Sequence, residues 1–370
     1  MCEFIGGMVV MKIGIISFHR ALNYGASLQA YALQKVIKGL GNNGEHIDFR
    51  QPYVEETDKA FSFSSGFIKG LVKGIVLFNF RKNQREVFND FWGKYMQFSK
   101  RIESFEDAES YDAYIVGSDQ VWNTEITEFD TAYILENVTN ESLKISYAAS
   151  IGLEKLSSNH EEYLKEGIRK FDSLSVREES AKQILQKFTK NDISVALDPT
   201  LLLSKKEWLS ELKQTEKLVL PEKYILAFQL KGDTLMKQTV DKASRELQLP
   251  VINIISLYSN SIVDKFKGQA YSPQDFVHLF NNAELILTNS FHGTAFSVNF
   301  NKKFYSVASY RPTRIINLLD KVGIEGHIIT DEKDIPDFKN EIIINWSKTN
   351  QLLSEMRQES LDFLSKSLIK

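Results

Sequence analysis

Short hydrophobic runs alternate with segments of helical periodicity along most of the chain. Residues 12–17 form an apolar run, and residues 26–40 then place apolar side chains three or four positions apart, up to Gly41. The same alternation resumes at residues 224–229 and 235–247. Because strands that alternate with helices across short turns favour parallel sheets covered on both faces, the pattern predicts an α/β protein.

The remaining elements divide into two series. Further strands are predicted at residues 113–116, 144–149, 173–176, 194–197, 251–255, 284–288, 304–307 and 327–330, and further helices at 81–96, 178–188, 273–281, 311–322 and 348–369. Residues 204–221 are charged, have no strand pattern and end at a proline, which favours a domain boundary. We therefore predict an N-terminal Rossmann-like domain at 11–203, a C-terminal Rossmann-like domain at 222–345, and a helix at 346–370 that is a candidate for packing back on the first domain. The two domains would face a cleft.

Composition and charge narrow the functional classes. The 370 residues are 43% hydrophobic and 25% charged, which suits two globular domains. A net charge of −3 gives no basic excess of the kind that nucleic-acid binding uses. The single cysteine, Cys2, excludes an intrachain disulfide and a zinc site built from several cysteines. Residues 1–10 lack the pattern of a signal peptide, so we expect a cytoplasmic protein.

Residues 61–80 form an apolar, aromatic segment, FSFSSGFIKGLVKGIVLFNF. Lys69 and Lys73 interrupt it, and it is too short and too charged to span a bilayer. The segment could lie on a membrane surface as a peripheral contact, cover an active site, or form a helical insertion packed on its own domain.

Four polar motifs follow predicted strands, at the sheet edge where α/β folds bind ligands. The first is FHRALNYGASLQ at residues 18–29. Asn23 and Gly25 suit a tight turn, and with Tyr24 they are candidates for a loop that binds substrate or phosphate. The alternative is a structural turn with His19 on the surface.

The second motif is VGSDQVWN at residues 116–123. Ser118 and Asp119 lie in a turn of small residues beside Trp122, a combination that suits sugar hydroxyls or a cation. Trp122 could stack on a sugar ring or pack internally. The alternative for Asp119 is a helix N-cap.

The third motif, SVREES at residues 175–180, places Arg177 between a strand and a helix. A guanidinium there can bind a carboxylate or phosphate through two hydrogen bonds. The alternative is a surface ion pair with Glu178 or Glu179.

The fourth motif, ILTNSFHGTAFS at residues 286–297, runs from a strand through a turn into a helix that we expect to open at Gly293. The helix N-terminus would hold an anion beside His292, with Asn289 and Ser290 in the turn. His292 can transfer protons near neutral pH. The alternative is a turn histidine with structural hydrogen bonds.

Arg311 and Arg314 follow another predicted strand, either as further anion ligands or as charges on a helix surface. The sequence contains no HExxH pair, P-loop, GxGxxG after a strand, or GxSxG turn. We therefore predict neither a metal nor a bound cofactor.

Together, the motifs resemble the polysaccharide pyruvyl transferase family. The matching pieces, which span about 290 residues in the family's order, are FHRALNYGASLQAYALQ at 18–34, YIVGSDQVWN at 114–123, SYAASIG at 146–152, SVREESA at 175–181, LDPTLLLS at 197–204 and LTNSFHGTAFSVNFNKKFYSV at 287–307. The resemblance implies a glycosyltransferase-B-like fold. It also implies transfer of a pyruvyl group from phosphoenolpyruvate to a sugar of a bacterial surface or capsular polysaccharide, or to a lipid-linked precursor, forming a ketal.

The resemblance also implies roles for individual residues. Asp119 and His292 correspond to catalytic positions, with Asp119 orienting either His292 or the acceptor sugar, and Arg177 corresponds to the family's mid-chain arginine. Other members carry an arginine where this chain has Ser290. Arg314 or Arg311 could replace it, or the donor could differ. Two other functions stay open: a glycosyltransferase that uses a nucleotide sugar, and a non-catalytic protein that binds a glycan.

Overall fold

The computed structural model describes most of the chain. The described residues are 3–5, 8–50, 67–139, 141–153, 155–230, 232–255, 270–308, 313–340 and 343–369, and side chains are described for these except 3–9, 67–80 and 255. Arg311 and residues 61–66 lie outside the described residues, so the expectations for Arg311 and for much of the 61–80 segment stay predictions.

The first half of the chain forms a parallel sheet of six strands, preceded by a small antiparallel pair. Its elements in chain order are β1 (Glu3–Ile5), β2 (Met8–Val10), β3 (Lys12–Ile16), α1 (Tyr24–Gly39), β4 (Asn43–His46), α2 (Phe67–Tyr95), β5 (Ala113–Val116), α3 (Thr124–Thr127), β6 (Leu143–Ala149), α4 (Ser158–Ile168), β7 (Ser173–Val176), α5 (Glu179–Leu185), β8 (Ile193–Val195) and α6 (Lys205–Glu211). The strand order is β4-β3-β5-β6-β7-β8. The order reverses between β3 and β5, and the loops after such strands leave a crevice between them.

The second half forms a parallel sheet of five strands in the order β10-β9-β11-β12-β13. Its elements are β9 (Ile225–Gln229), α7 (Thr234–Leu247), β10 (Val251–Ile255), α8 (Pro273–Asn282), β11 (Leu285–Thr288), α9 (Phe291–Asn299), β12 (Phe304–Val307), α10 (Thr313–Lys321), β13 (Ile328–Ile329) and α11 (Trp346–Ser367). This order reverses between β9 and β11. The predicted α/β class with two parallel sheets is confirmed, while the exact domain boundaries stay a prediction.

Aromatic side chains fill the contact between the two halves. Helix α1 is buried along most of its length, and the Tyr24 ring stacks on Phe276 of α8 at 4.8 Å between centroids. The Trp208 ring of α6 lies 5.3 Å from Phe296 of α9. Because such rings bury large apolar areas, they hold the carboxyl edges of the two sheets together.

Helix α11 returns to the first half of the chain. Ser360 accepts a hydrogen bond from the backbone N–H of Leu197 at 3.0 Å, and the Nε of Arg357 donates to the carbonyl of Leu201 at 2.8 Å. Both contacts lie just after β8. The helix therefore supports the segment that leaves the first sheet.

Two helix boundaries differ from the prediction. Helix α2 is continuous from Phe67 to Tyr95, so residues 81–96 are not a separate helix. Helix α9 begins at Phe291 rather than at Gly293, because the Ser290 hydroxyl accepts the Gly293 N–H and caps the helix. His292 consequently lies within the first turn. Among the described residues, no helix is both long and apolar enough to cross a membrane.

Candidate functional site

The carboxylate of Asp198 joins the two halves of the chain. It is buried, at the start of the 3-10 turn that follows β8. One oxygen, Oδ2, lies 2.9 Å from Nη1 of Arg177, 3.3 Å from the Ser118 hydroxyl and 3.6 Å from Nε2 of His292. The other oxygen accepts hydrogen bonds from the backbone and hydroxyl of Thr200 at 3.0 and 2.7 Å. Side chains that follow four different strands therefore meet at one carboxylate.

The charges in this cluster are stabilised by one another. Burial alone would raise the pKa of Asp198, but His292, Arg177 and the Thr200 backbone hold that pKa below its usual range. Burial alone would lower the pKa of Arg177, but Glu178 and Asp198 raise it instead. The Asp198 carboxylate therefore stays ionised between the guanidinium and the imidazole.

Arg177 is fixed on three sides. Its Nε donates to Glu178 at 3.1 Å, and Glu178 in turn accepts a hydrogen bond from Ser150 at 2.9 Å. Its guanidinium carbon lies 4.8 Å from the centre of the Phe291 ring, a cation–π distance. The alternative of an ion pair with Glu178 is therefore confirmed, but the pair is buried and not on the surface as expected. Its Nη2 has no hydrogen-bond partner among the described residues.

The imidazole of His292 lies between the two halves. A Cβ atom added to Gly25 would overlap the ring, so the first turn of α1 contacts it directly. Only 12% of the side chain is exposed. Glycine at position 25 therefore allows the close approach of two helix N-termini, one from each half.

A cavity of about 270 Å³ lies next to Asp198. Arg177 and Phe291 line one wall, and three polar side chains of α10 line another: Arg314, Asn317 and Lys321. The polar lining also includes Glu178 and Asp198, and Glu359 and Ser360 of α11. Two of the three candidate arginines, Arg177 and Arg314, therefore line the same cavity, and the third lies outside the described residues.

The first predicted binding loop has mainly structural contacts. The Asn23 side chain caps α1 by accepting the Ala26 N–H at 3.3 Å. Tyr24 is buried, and its hydroxyl donates to the carbonyl of Tyr271 at 2.9 Å. The assignment of Tyr24 to substrate is therefore wrong. His19 is buried rather than on the surface, because it packs beside His46.

Ser118 and Trp122 of the second motif support the site from the interior and do not form its surface. Ser118 is buried and holds Asp198, whereas the Asp119 carboxylate accepts its neighbour's N–H, from Gln120, at 2.9 Å. Asp198 rather than Asp119 lies against His292. Trp122 is completely buried and donates to the carbonyl of Tyr133, so a sugar-stacking role for Trp122 is wrong.

The fourth motif contains the predicted histidine, but the residues around it do not form the anion site that we expected. The N–H of Gly293 is capped by Ser290, and a Cβ at Gly293 would overlap Thr288, so this glycine serves packing and not anion binding. Ser290 is buried, which excludes it as a direct ligand in this conformation. Asn289 accepts the N–H of Leu230 at 2.8 Å and so ties β11 to the end of β9.

Two residues of the site were missed from the sequence. Asp198 stands immediately after a predicted strand, in the motif LDPTLLLS, at the same kind of position as the other strand-end candidates. Lys321 lies seven positions after Arg314 in one helix, a spacing that predicts a shared face. Burial lowers the pKa of Lys321, with Glu179 and Glu178 opposing that shift. Among the described residues, no three His, Cys, Asp or Glu side chains are grouped as metal ligands.

A comparison with protein families shows to which family the chain belongs. The model of the polysaccharide pyruvyl transferase family matches residues 23–310, most of the chain. The chain belongs to this family. Membership makes it a transferase of polysaccharide pyruvylation, with a sugar or polysaccharide as the acceptor. No curated protein matches the chain.

The chain is similar to solved structures at low sequence identity, and one of them reaches a TM-score that supports a shared fold. A UDP-N-acetylglucosamine 2-epimerase is 12% identical, covers 96% of this chain and 95% of its own, and superposes with a TM-score of 0.50. The UDP-GlcNAc 2-epimerase from Methanocaldococcus jannaschii is 14% identical over 93% and 99% of the two chains, with a TM-score of 0.48. The wall teichoic acid polymerase TagF is 10% identical over 96% and 83%, with a TM-score of 0.41. The predicted glycosyltransferase-B-like fold of this pyruvyl transferase family member is confirmed.

Proposed function

We propose that this family member transfers the pyruvyl group of phosphoenolpyruvate to two hydroxyls of one sugar in a surface polysaccharide or its precursor, forming a ketal. The observation that carries the proposal is the buried Asp198, which contacts His292 on one side and Arg177 on the other. The same carboxylate borders the cavity that Arg314 and Lys321 line. Asp198 thus borders the cavity on one side and His292 on the other, although His292 itself is not among the residues that line the cavity.

The cavity suits a small dianionic donor. Phosphoenolpyruvate carries a carboxylate and a phosphate on three carbons, and guanidinium groups bind both kinds of oxyanion. Arg177, Arg314 and Lys321 line a cavity of about 270 Å³, slightly less space than pockets for drug-sized ligands occupy. Three carboxylates, of Glu178, Asp198 and Glu359, share this lining, and Arg177 is paired with two of them, so we assign the donor's oxyanions mainly to Arg314 and Lys321. In this scheme Arg314 takes the role that Ser290, as a buried helix cap, does not fill.

The proposed transfer balances in atoms and electrons without an oxidant or a reductant. A proton adds to the methylene carbon of phosphoenolpyruvate, which becomes the methyl group, and one sugar hydroxyl attacks C2. A second hydroxyl then forms the other C–O bond at C2 as the C–O bond to phosphate breaks. Of the two hydroxyl protons, one replaces the proton given to the methylene carbon, and the other leaves with inorganic phosphate. The scheme needs no metal or cofactor.

We assign the proton transfers to His292. An imidazole can both give and take protons near neutral pH. The ionised carboxylate of Asp198, 3.6 Å from Nε2, stabilises the positive charge that the ring acquires when it takes a proton. Asp198 is thus a positioning residue in this scheme, and Asp119 is left for the acceptor sugar. Cytoplasmic location and membrane contact by residues 61–80 stay predictions.

Donor use tests the proposed function. We expect the purified protein to release inorganic phosphate from phosphoenolpyruvate only when an acceptor glycan is present, and phosphoenolpyruvate to raise its thermal unfolding temperature. UDP-N-acetylglucosamine, offered as the nucleotide-sugar control, is expected to do neither. Stabilisation by the nucleotide sugar alone would favour a glycosyltransferase, and glycan binding without consumption of either donor would favour a non-catalytic protein.

Replacing Arg314 with alanine is expected to raise the KM for phosphoenolpyruvate roughly tenfold, because one charge-assisted contact to the donor is lost. Steady-state kinetics at saturating acceptor measure this effect. Ser290→Ala should instead lower the free energy of unfolding by about 1 kcal/mol through loss of the helix cap, with a smaller change in KM. Arg245→Ala, on the exposed face of α7, is the matched control. Equal KM effects of the Arg314 and Ser290 changes would contradict the role of Arg314.

A further inference from the structure

A buried amide at the end of α9 holds the chain segment that begins at Asp198. Asn299 is only 7% exposed, and its Nδ2 donates to the carbonyls of Thr200 at 3.1 Å and Leu203 at 2.8 Å. Its Oδ1 accepts a hydrogen bond from Nη2 of Arg357 at 3.2 Å. Carbonyls cannot donate and a guanidinium cannot accept, so only this orientation of the amide satisfies all three partners. The proposed transfer chemistry does not use Asn299.

The backbone that Asn299 holds also holds the Asp198 carboxylate. Oδ1 of Asp198 accepts hydrogen bonds from the N–H and the hydroxyl of Thr200, and the carbonyl of the same threonine accepts Nδ2 of Asn299. The indole N–H of Trp208 donates to that carbonyl as well, at 3.1 Å. A shift of this segment would therefore carry the carboxylate with it.

Helix α9 contacts this segment at both of its ends. His292 lies in the first turn and Asn299 in the last, seven residues apart, so they share one face of the helix. A rise of about 1.5 Å per residue puts their Cα atoms about 10 Å apart along the axis. The imidazole contacts Asp198 at one end, and the amide contacts Thr200 and Leu203 at the other. Because the helix between them is stiff, the amide limits how far His292 can slide along the segment or rotate away from it.

The contact between His292 and Asp198 is too long to fix its own geometry. Nε2 of His292 lies 3.6 Å from the carboxylate oxygen, and this nitrogen has no hydrogen-bond partner among the described residues. Attraction between charges has no preferred angle, so neighbouring contacts must set the arrangement. The three hydrogen bonds of Asn299 are shorter and directional, and they anchor the same helix to the same segment.

We propose that Asn299 is a positioning residue, which sets the separation between the His292 imidazole and the Asp198 carboxylate. It acts from the other end of α9 and is not among the residues that line the donor cavity. The position of the pair does not depend on the identity of the donor, whereas the effect on turnover rests on the proposed function. Loss of the anchor should therefore reduce proton transfer by His292 and leave the binding of phosphoenolpyruvate unchanged.

A pair of matched substitutions separates positioning from general stability. Asn299→Leu keeps a similar side-chain volume and removes all three hydrogen bonds. Gln34→Leu is the control, because Gln34 is equally buried and its Nε2 also donates to two carbonyls, those of Gly44 and Gln97. We expect both changes to lower the urea midpoint by similar amounts. Only Asn299→Leu should lower kcat, by about 10- to 100-fold with an unchanged KM for phosphoenolpyruvate, because a small misplacement of a catalytic group costs up to about 100-fold.

Chemical modification of His292 reports its position without a donor. Diethyl pyrocarbonate acylates neutral imidazole nitrogens, and mass spectrometry of the peptide that contains His292 gives the rate. We expect Asn299→Leu to speed this modification several-fold and Gln34→Leu to leave it at the wild-type rate. Asn299→Ser keeps one donor, so its rate should lie between those of the wild type and Asn299→Leu, and it replaces the leucine variant if that variant folds poorly.

Two outcomes would overturn the role of Asn299. A wild-type rate of His292 modification in the folded Asn299 variants would show that the amide does not hold the imidazole. Equal losses of kcat in Asn299→Leu and Gln34→Leu would show a general effect of stability. If the wild-type protein does not consume phosphoenolpyruvate, the proposed donor is wrong, and the modification rates still decide the positioning role.

Discussion

Replacing His292 with alanine is expected to abolish detectable pyruvyl transfer while the protein stays folded. General acid–base groups contribute about 10²- to 10⁴-fold to rates, and His292 is the histidine that contacts both the buried Asp198 and the start of α1. The loss should appear in kcat, with phosphoenolpyruvate still raising the unfolding temperature, because the cations of the cavity remain. Phosphate release and thermal unfolding of the same preparation measure both effects.

His278 offers a matched control for that substitution. It is a half-buried histidine of the second half of the chain, and its Nε2 contacts the backbone carbonyl of Leu212 at 2.7 Å. His278→Ala should keep nearly normal turnover. A folded His292→Ala protein with turnover like that of the control would remove His292 from the mechanism.

Replacing Asp198 with asparagine is expected to lower the free energy of unfolding at pH 7 by about 3–5 kcal/mol, because Arg177 loses one of its two carboxylates in a buried setting. Turnover should fall as well, since the charge next to His292 is lost. Urea unfolding at pH 7 measures the stability. Asp275→Asn is the control, because its buried carboxylate accepts hydrogen bonds from the uncharged Thr215 and should cost less.

The contribution of Asp198 to the free energy of unfolding should decrease as the pH falls. The folded-state pKa of Asp198 is depressed below the ordinary value of 3.8, so its stabilisation is fully present above pH 3.8 and is lost as the pH falls from there toward the folded-state pKa. The stability difference between wild type and Asp198→Asn should therefore shrink in acid. A difference that stays constant from pH 7 down to pH 3 would contradict the charged role of Asp198.

The expectation that polar residues after strand ends approach one another holds for three of the predicted residues. His292, Arg177 and Ser118 follow three different strands, and all three contact one carboxylate. The sequence could not show which acid occupies the centre, because Asp119 and Asp198 both follow strands. Only the path of the chain after β8 brings Asp198 to the other half.

For predicting the site, the type of a side chain was less informative than its position after a strand. Trp122 and Tyr24 are residues that often stack on sugars, yet both are buried in apolar cores. The orientation of an aromatic residue in a turn depends on packing partners far away in sequence, such as Phe276 for Tyr24. The neighbouring residues in sequence do not reveal those packing partners. For this reason the assignments of Trp122 and Tyr24 to substrate binding were wrong.

Ser290 shows how a missing residue can be misread. The family resemblance led us to expect an arginine at this position, and the turn is nevertheless complete, because the serine hydroxyl caps α9. In the proposed function the cations come instead from α10, whose residues Arg314 and Lys321 line the cavity. The helical spacing of Arg314 and Lys321 predicts that they share one face of α10. Only the tertiary fold brings that face close to Arg177.

The contact between Asp198 and His292 has a consequence for how the two lobes cooperate. The acid follows the last strand of the first sheet, and the histidine follows the central strand of the second. The pair therefore exists only because the two halves meet, and the stacking of Tyr24 on Phe276 is part of the contact that keeps them together. In the proposed function, a substitution that loosened this contact would weaken proton transfer by His292 without altering either residue of the pair.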